Sequence, residues 1–222
     1  MTDRWKMIYL ARRNPALRAD QFSQAWREHS ALGAGCTNVR DKVLSVMQCS
    51  RVLDGSPLPD AATDYDGVNL LALRDLQAAT DIWNDPETLA IMRPDEPRVF
   101  STYVRHFSLV CRERVLQDQP RGLCCVVGFL KHRAGQTPLP LTAAALPGAG
   151  RTVLNDVQLP PPDGYDFDVI AEWWYASPEA ARAALGAQPL AAHLDQSAPA
   201  LAEAIDLAAS VFMFTQVTHS RP

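Results

Sequence analysis

The sequence predicts an α+β chain made of two βαββαβ units. Three observations lead there. Apolar runs and amphipathic stretches alternate as β-α-β-β-α-β over the first half. Parts of that order recur at fixed offsets in the second half. A 47% share of AVILMFWYC residues against 21% charged residues is the balance of a globular chain. A length of 222 residues gives room for one large domain or two small ones, with ample core in either case.

The elements follow in order. Met7-Ile8-Tyr9-Leu10-Ala11-Arg12-Arg13 is short and apolar and stops at Asn14-Pro15, which reads as a strand. From Asp20 to about Leu32 the period becomes helical. Phe22, Trp26 and His29 fall on one face, Gln24, Arg27 and Glu28 on the other, and Gly33 and Gly35 end the helix. Val43 to Cys49 and Tyr65 to Leu73 read as the second and third strands, 75–83 as a second helix, and Arg105 to Glu113 as a fourth strand. This order is the split βαβ of ferredoxin-like units.

The second half repeats part of it. Tyr9-Leu10 and Arg13 recur as Phe129-Leu130 and Arg133, an offset of 120. Tyr65-Asp66-Gly67-Val68 recurs as Phe167-Asp168-Val169-Ile170, an offset of 102 that also carries Ala78-Ala79 onto Ala180-Ala181. The difference of 18 residues falls where the first half has its Phe22/Trp26/His29 helix. Ala134 to Gly150 stands there instead, with Pro138, Pro140 and Pro147, and cannot hold a long helix. The second unit is therefore expected to have a truncated first helix. Residues 1–115 and 123–222 are the expected units, joined by a linker with Pro120 and Gly122.

Other classes are excluded. A net charge of −4 and a pI near 5.7 argue against a nucleic-acid partner held by phosphate attraction. No run of eighteen apolar residues offers a membrane span, and the N-terminus lacks the apolar region of a signal peptide. Cys36, Cys49, Cys111, Cys124 and Cys125 form no C-x-x-C pair, which reads as reduced, buried thiols in a cytoplasmic protein, and no zinc site is expected. No nucleotide, flavin or nicotinamide motif is present, so no cofactor is expected.

Trp26-Arg27-Glu28-His29-Ser30, then Tyr65-Asp66-Gly67, then Asp95-Glu96-Pro97-Arg98-Val99-Phe100 together resemble the EthD-type domains of the dimeric α/β-barrel superfamily. The resemblance covers residues 5–115 well and 123–218 weakly. It implies two sheets paired face to face into a barrel with helices outside, closed here within one chain. It also implies apolar ligands bound between sheet and helices. The family's helix carries its histidine four residues after the tryptophan, where this chain has Ser30; His29 stands at three.

His29 is the sharpest candidate, a general acid or base on an apolar helix face, with a hydrogen-bonded core histidine as the bland alternative. Tyr9 and Trp26 would line a pocket for a flat aromatic ring, although such rings are more often core. Arg105 or His106, at the expected start of the fourth strand, would bind a carboxylate or phenolate if not simply exposed. His132 reads as a solvated strand end, and His193 and His219 as surface residues. In Glu172-Trp173-Trp174-Tyr175, alternation puts Glu172 and Trp174 on one face, which the truncated helix would leave half open. Glu172 is then a candidate base with a raised pKa and Trp174 a binding platform.

Three functions are carried forward. The first is an enzyme without organic cofactor that oxygenates, cyclises, decarboxylates or cleaves an aromatic or polyketide-like compound. The second is a non-catalytic binder of a hydrophobic ligand or an accessory protein. The third is haem binding through an axial histidine, as in some members of the superfamily. The expected partner is a small aromatic or hydrophobic molecule, with no nucleic acid and no membrane; whether two-unit chains pair again as a homodimer is left open.

Overall fold

The computed structural model describes residues 3–135 and 144–222. Its strands are β1 (Trp5–Ala11), β2 (Val43–Arg51), β3 (Gly67–Leu73), β4 (Ser108–Asp118), β5 (Cys124–His132), β6 (Arg151–Val157), β7 (Val169–Tyr175) and β8 (Ile205–Arg221). They close into one antiparallel barrel in the order β1-β3-β2-β8-β5-β7-β6-β4. Within each half the order reads fourth, first, third, second. The halves join edge to edge, β2 with β8 and β4 with β6, and not face to face as the resemblance implied. Edge pairing hydrogen-bonds every strand on both sides, whereas two sheets merely stacked would leave four open edges.

Helix α1 (Ala19–Gly35) lies over the outer face of β1, β3 and β2. It starts where the Gln21 side chain accepts the Arg18 backbone N–H at 2.9 Å, and it buries Phe22, Ala25, Trp26, His29, Ser30 and Gly33. It runs through Gly33 and ends at Gly35, so of the two glycines expected to end it only the second does. A methyl on Gly33 would stand 2.9 Å from the Met92 sulfur, so this glycine serves close packing and not termination. Gly67 has the same use, since a Cβ there would lie 2.6 Å from the Trp26 ring. A short helix α2 (Thr37–Lys42), a π-helical turn (Thr88–Met92) and a single helical turn α4 (Glu96–Val99) complete this layer with α3 (Leu76–Asp81).

The two halves share their local chemistry. Asp75 caps α3 by accepting the Ala78 N–H at 2.7 Å, and Ser177 caps α5 (Pro178–Leu185) by accepting the Ala180 N–H at 3.2 Å. Both partners of the second bond lie 102 residues after those of the first. The other offset needs correction. Leu10 stands opposite Val68 in the first half, and Phe129 opposite Ile170 in the second. Asp66 accepts the backbone N–H of Arg13, and Asp168 that of His132. Both pairs give an offset of 119 for the first strand, not 120. A slip of one residue exchanges the two faces of a strand, so Tyr9 and Phe129 do not correspond.

No helix occurs among the described residues between β5 and β6; 136–143, with Pro138 and Pro140, lie outside them. Residues 144–150 lie against β7 in its place. Trp173 donates its indole N–H to the Ala144 carbonyl at 2.5 Å, and the Tyr175 hydroxyl donates to the Pro147 carbonyl at 3.2 Å. Trp173, Trp174 and Tyr175 are at most 2% exposed, so the half-open face expected on β7 does not exist. Helices α6 (Leu190–Ser197) and α7 (Pro199–Ala204) lead into β8. His193 is buried, with Nε2 at 2.6 Å from the Leu185 carbonyl, and His219 is half-buried; neither is the surface residue expected. All five cysteines are free and buried.

Candidate functional site

Between α1 and the sheet lies a cavity of about 60 Å³. Its floor is set by strand register. Tyr9 of β1 is directly opposite Asn69 of β3, and Asn69 is opposite Gln48 of β2, so three polar side chains form one row under the helix. One row along, Leu71 is opposite Val46, and Val46 is opposite Arg221 of β8. The roof is Trp26, His29, Ser30 and Gly33 of α1, with Thr88 and Met92 of the π-turn and Glu96 at the side. Trp83, Met92 and Arg221 are half-buried, so the cavity reaches solvent past them.

His29 is 5% exposed and rests edge-on against Phe100. Its Nδ1 lies 2.9 Å from Oδ2 of Asp95. Asp95 is in turn gripped by Arg98, at 2.7 Å through Nε, and Arg98 also reaches Glu28. Arg98 is the main reason the Asp95 carboxyl sits below its usual range; burial works against this, and His29 adds to it. An ionised Asp95 can only accept, so Nδ1 carries the proton and Nε2 is left with its lone pair. Nε2 makes no hydrogen bond among the described residues. Burial pulls the His29 pKa below its ordinary 6.5, Asp95 pulls it back up and Arg98 adds to the lowering, which leaves a neutral imidazole at pH 7.

Four other polar atoms of the cavity lack partners. Oε1 of Gln48, Oδ1 of Asn69, Oγ1 of Thr88 and Nε of Arg221 are buried without a hydrogen bond. Buried polar atoms in folded chains are nearly always paired, so four orphans around one cavity mark a place shaped for something else to bond to them. Burial, then the charge of Glu96, raises the Tyr9 phenol far above its ordinary value, keeping it a proton donor. Burial likewise raises Glu96, opposed by the Val104 N–H it accepts and by Arg93 and Arg105.

Of the residues singled out from sequence, Tyr9, Trp26 and His29 meet at this cavity. Arg105 and His106 do not. They sit in a 3-10 turn (Val104–His106) ahead of β4, exposed, with Arg105 Nε 3.1 Å from His106 Nε2 and His106 Nδ1 3.2 Å from Thr102. The strand starts at Ser108 because this turn must first hand its Val104 N–H to Glu96. Glu172 and Trp174 face the barrel lumen, on the other side of the sheet. Glu172 is fully buried, 2.5 Å from Lys6 Nζ, 2.9 Å from Asn155 Nδ2 and 2.9 Å from the Trp174 indole N–H. A carboxylate so satisfied is no free base. His132, half-buried at the end of β5, is equally remote from the cavity. Asp95, Gln48, Asn69, Thr88 and Arg221 were not foreseen. Asn69 and Gln48 carried a signal, as polar residues inside strands that are otherwise apolar.

A haem does not fit the His29 cavity. Cofactor-sized pockets run to roughly 300 Å³ and more, several times this cavity. His29 keeps Nε2 free but over a cavity too small for the group, Nε2 of His193 is tied to a carbonyl, and the outer face of β7 is covered by 144–150. No group of metal-ligating side chains occurs among the described residues, and none of their helices is long and apolar enough to cross a membrane.

A closed eight-stranded barrel with its helices outside and a cavity under one of them is the architecture of the dimeric α/β-barrel proteins. Residues 14–102, which contain α1, the Tyr65-Asp66-Gly67 turn and Asp95 to Phe100, match the EthD domain family. Among solved structures the chain is similar to an anthrone oxidase-like protein, with 12% identity, a TM-score of 0.67 and coverage of 100% of this chain and 93% of that one. It is also similar to a chlorite dismutase variant from Candidatus Nitrospira defluvii, with 11% identity, a TM-score of 0.54 and 98% and 94% coverage. A third likeness is to a protein provisionally assigned as a monooxygenase from Lactobacillus acidophilus, with 9% identity, a TM-score of 0.50 and 99% and 96% coverage. No curated protein sequence matches the chain.

Proposed function

We propose that the chain is a cofactor-independent enzyme acting on an aromatic or polyketide-like small molecule, with His29 as general base. The reading takes the chain as two tandem ferredoxin-like units, 1–115 and 123–222, with the site in the first. The observation that carries it is the His29–Asp95 pair, with the free Nε2 lone pair, beside a cavity with four unpartnered polar atoms. In this mechanism Nε2 removes a proton from a carbon next to a carbonyl or from a phenol. Asp95 fixes the ring and stabilises the imidazolium formed. The negative charge passes to the substrate oxygen, for which Tyr9, as a protonated phenol, is a donor in the lining of the cavity. Oxygenation, cyclisation, decarboxylation and elimination can each follow that first proton transfer. The fold shared with an anthrone oxidase-like protein and with a protein assigned as a monooxygenase supports oxygenation as the first chemistry to test.

A cavity of about 60 Å³ is smaller than the roughly 150 Å³ that accepts a benzene ring, so the rim side chains Trp83 and Met92 must move to admit one. Met92 is unbranched and sits on a π-turn, both features that ease such movement. The test is anthrone oxidation, in which one O₂ is consumed per anthrone to give anthraquinone and water. Uptake above the uncatalysed rate, lost in His29→Ala, supports the reading. Turnover unchanged in folded His29→Ala, or none in the wild-type chain with a wider phenolic panel, leaves the hydrophobic-ligand binder, which the small, largely apolar cavity favours.

A further inference from the structure

Arg221 is anomalous among the arginines that touch the interior. Arg13, Arg98, Arg114 and Arg182 each grip an aspartate. The Arg221 side chain has no salt bridge and no hydrogen bond among the described residues, although its Nε is shielded from solvent. It reaches the rim of the His29 cavity from β8, and it also borders a second hollow of about 230 Å³ at the mouth of the barrel, together with Lys6 and Arg121. Next to it on the same face is His219, opposite Gln48. Burial lowers the pKa of Arg221, and no neighbouring group offsets that effect. His219 is lowered first by burial and then by the charges of Arg221 and of Arg27 on α1. Arg27 too is without an acidic partner among the described residues. In a chain with a net charge of −4, Arg221 at the rim and Arg27 near His219 are thus two cations without an acidic partner among the described residues.

We infer that the His29 cavity takes a ligand bearing a carboxylate on an apolar body, and that Arg221 is the residue that selects for that negative charge. This rests on the reading of the cavity as the binding site and adds the class of ligand to it. The guanidinium presents a planar fork of donors whose natural complement is a carboxylate, and here that complement is missing from the protein. The apolar body would lie along Trp26, Leu71 and Ile82, toward His29. Glu96 is the acid in the lining among the described residues. It does not compete for Arg221, since its Oε2 is held by the Val104 N–H, and burial favours its neutral form.

The test uses the full chain and a matched pair of probes, benzoate and benzamide, titrated by calorimetry with Trp fluorescence as a second readout. Benzoate should bind about ten- to a hundredfold more tightly than benzamide, the range for gaining a charge-assisted bond. Arg221→Gln should erase that preference, and Arg221→Lys should keep part of it. Arg112→Gln, an exposed arginine on β4, should leave it intact. Equal binding of acid and amide to the wild-type chain overturns the inference. So does a preference that survives in folded Arg221→Gln, or no benzoate binding at millimolar concentrations. The titrations need no turnover. A failed anthrone assay therefore overturns the catalytic reading alone, and a lost acid–amide preference overturns the anion reading alone.

Discussion

Lys6 Nζ lies 2.5 Å from Oε1 of Glu172, joining the first strand of one half of the barrel to the third strand of the other across the lumen. The same ammonium lies 2.6 Å from Glu113, which also holds Arg4. Burial would raise the Glu113 pKa, but Lys6 and then Arg4 more than reverse that and hold it down. Removing one member of such a buried set leaves the others unpaired in a medium that solvates them poorly. Lys6→Met should therefore cost about 3–5 kcal/mol, read as a lower urea midpoint. Lys6→Met/Glu172→Gln should recover part of the loss, because Glu113 keeps Arg4 and no charge remains at position 172. Neither change should disturb benzoate binding on the far side of the sheet.

The pH dependence of turnover follows from the depressed pKa of His29. The imidazole must be neutral to act as base, so kcat/KM should be flat near pH 7 and fall on an acidic limb centred below 6.5. Asp95→Asn removes the group that raises this pKa and leaves Arg98, which lowers it. The limb should move to still lower pH, while the plateau drops about tenfold or more because the ring loses its orientation. His29→Ala should lower the plateau by about a hundredfold or more.

The same shift has a stability consequence of fixed sign. Above pH 6.5 His29 is neutral in both folded and unfolded chains and contributes no pH dependence. As pH falls through 6.5 the unfolded chain takes up the proton first, since the folded pKa is lower, and stability drops until the folded pKa is passed. His29→Gln should flatten the unfolding free energy just below pH 6.5 relative to the wild-type chain. A slope there that persists undiminished would place the proton uptake elsewhere.

Asn69 separates binding from folding. Its Oδ1 is buried and unpaired beside the equally unpaired Oε1 of Gln48. Replacing such a group with an apolar one of similar shape removes a desolvation penalty of about 1–3 kcal/mol. Asn69→Leu should raise the thermal midpoint and at the same time weaken probe binding. A variant that loses stability would show that the amide is held by the fold and not kept for a ligand.

The sequence made the helical face of Phe22, Trp26 and His29 legible because its period matches 3.6 residues, and the 102 offset because caps and turns recur with it. It hid the row Tyr9–Asn69–Gln48, since that row exists only once three strands adopt one register. It hid Asp95 for a related reason. The residue was visible within Asp95 to Phe100, but its 2.9 Å approach to His29 depends on the π-turn and α4 folding back over α1. Glu172 misled for the opposite reason. Alternation placed it correctly with Trp174, but nothing in local sequence shows that this face meets Lys6 across a barrel 166 residues away. Arg105 and His106 misled because a run of mixed polar residues before a strand gives no sign of the 3-10 turn that takes them to the surface.

The last expectation concerns the rim. Met92 is half-buried at the cavity's opening, and its sulfur fills the space that a side chain on Gly33 would need. Both residues line the cavity, so substitutions at them should act in opposite directions. Met92→Ala removes a thioether arm from the opening and should admit larger rings. The Kd ratio of 2-naphthoate to benzoate should fall by about tenfold, the scale set by burying a few more ring carbons at ~0.8 kcal/mol per carbon group. Gly33→Ala adds a methyl to the roof, displaces the flexible end of Met92 and should raise the same ratio at little cost to folding. Calorimetry with the two acids reads both variants. If Met92→Ala leaves the ratio at its wild-type value, the ring does not enter past Met92, and the opening lies between Trp83 and Arg221.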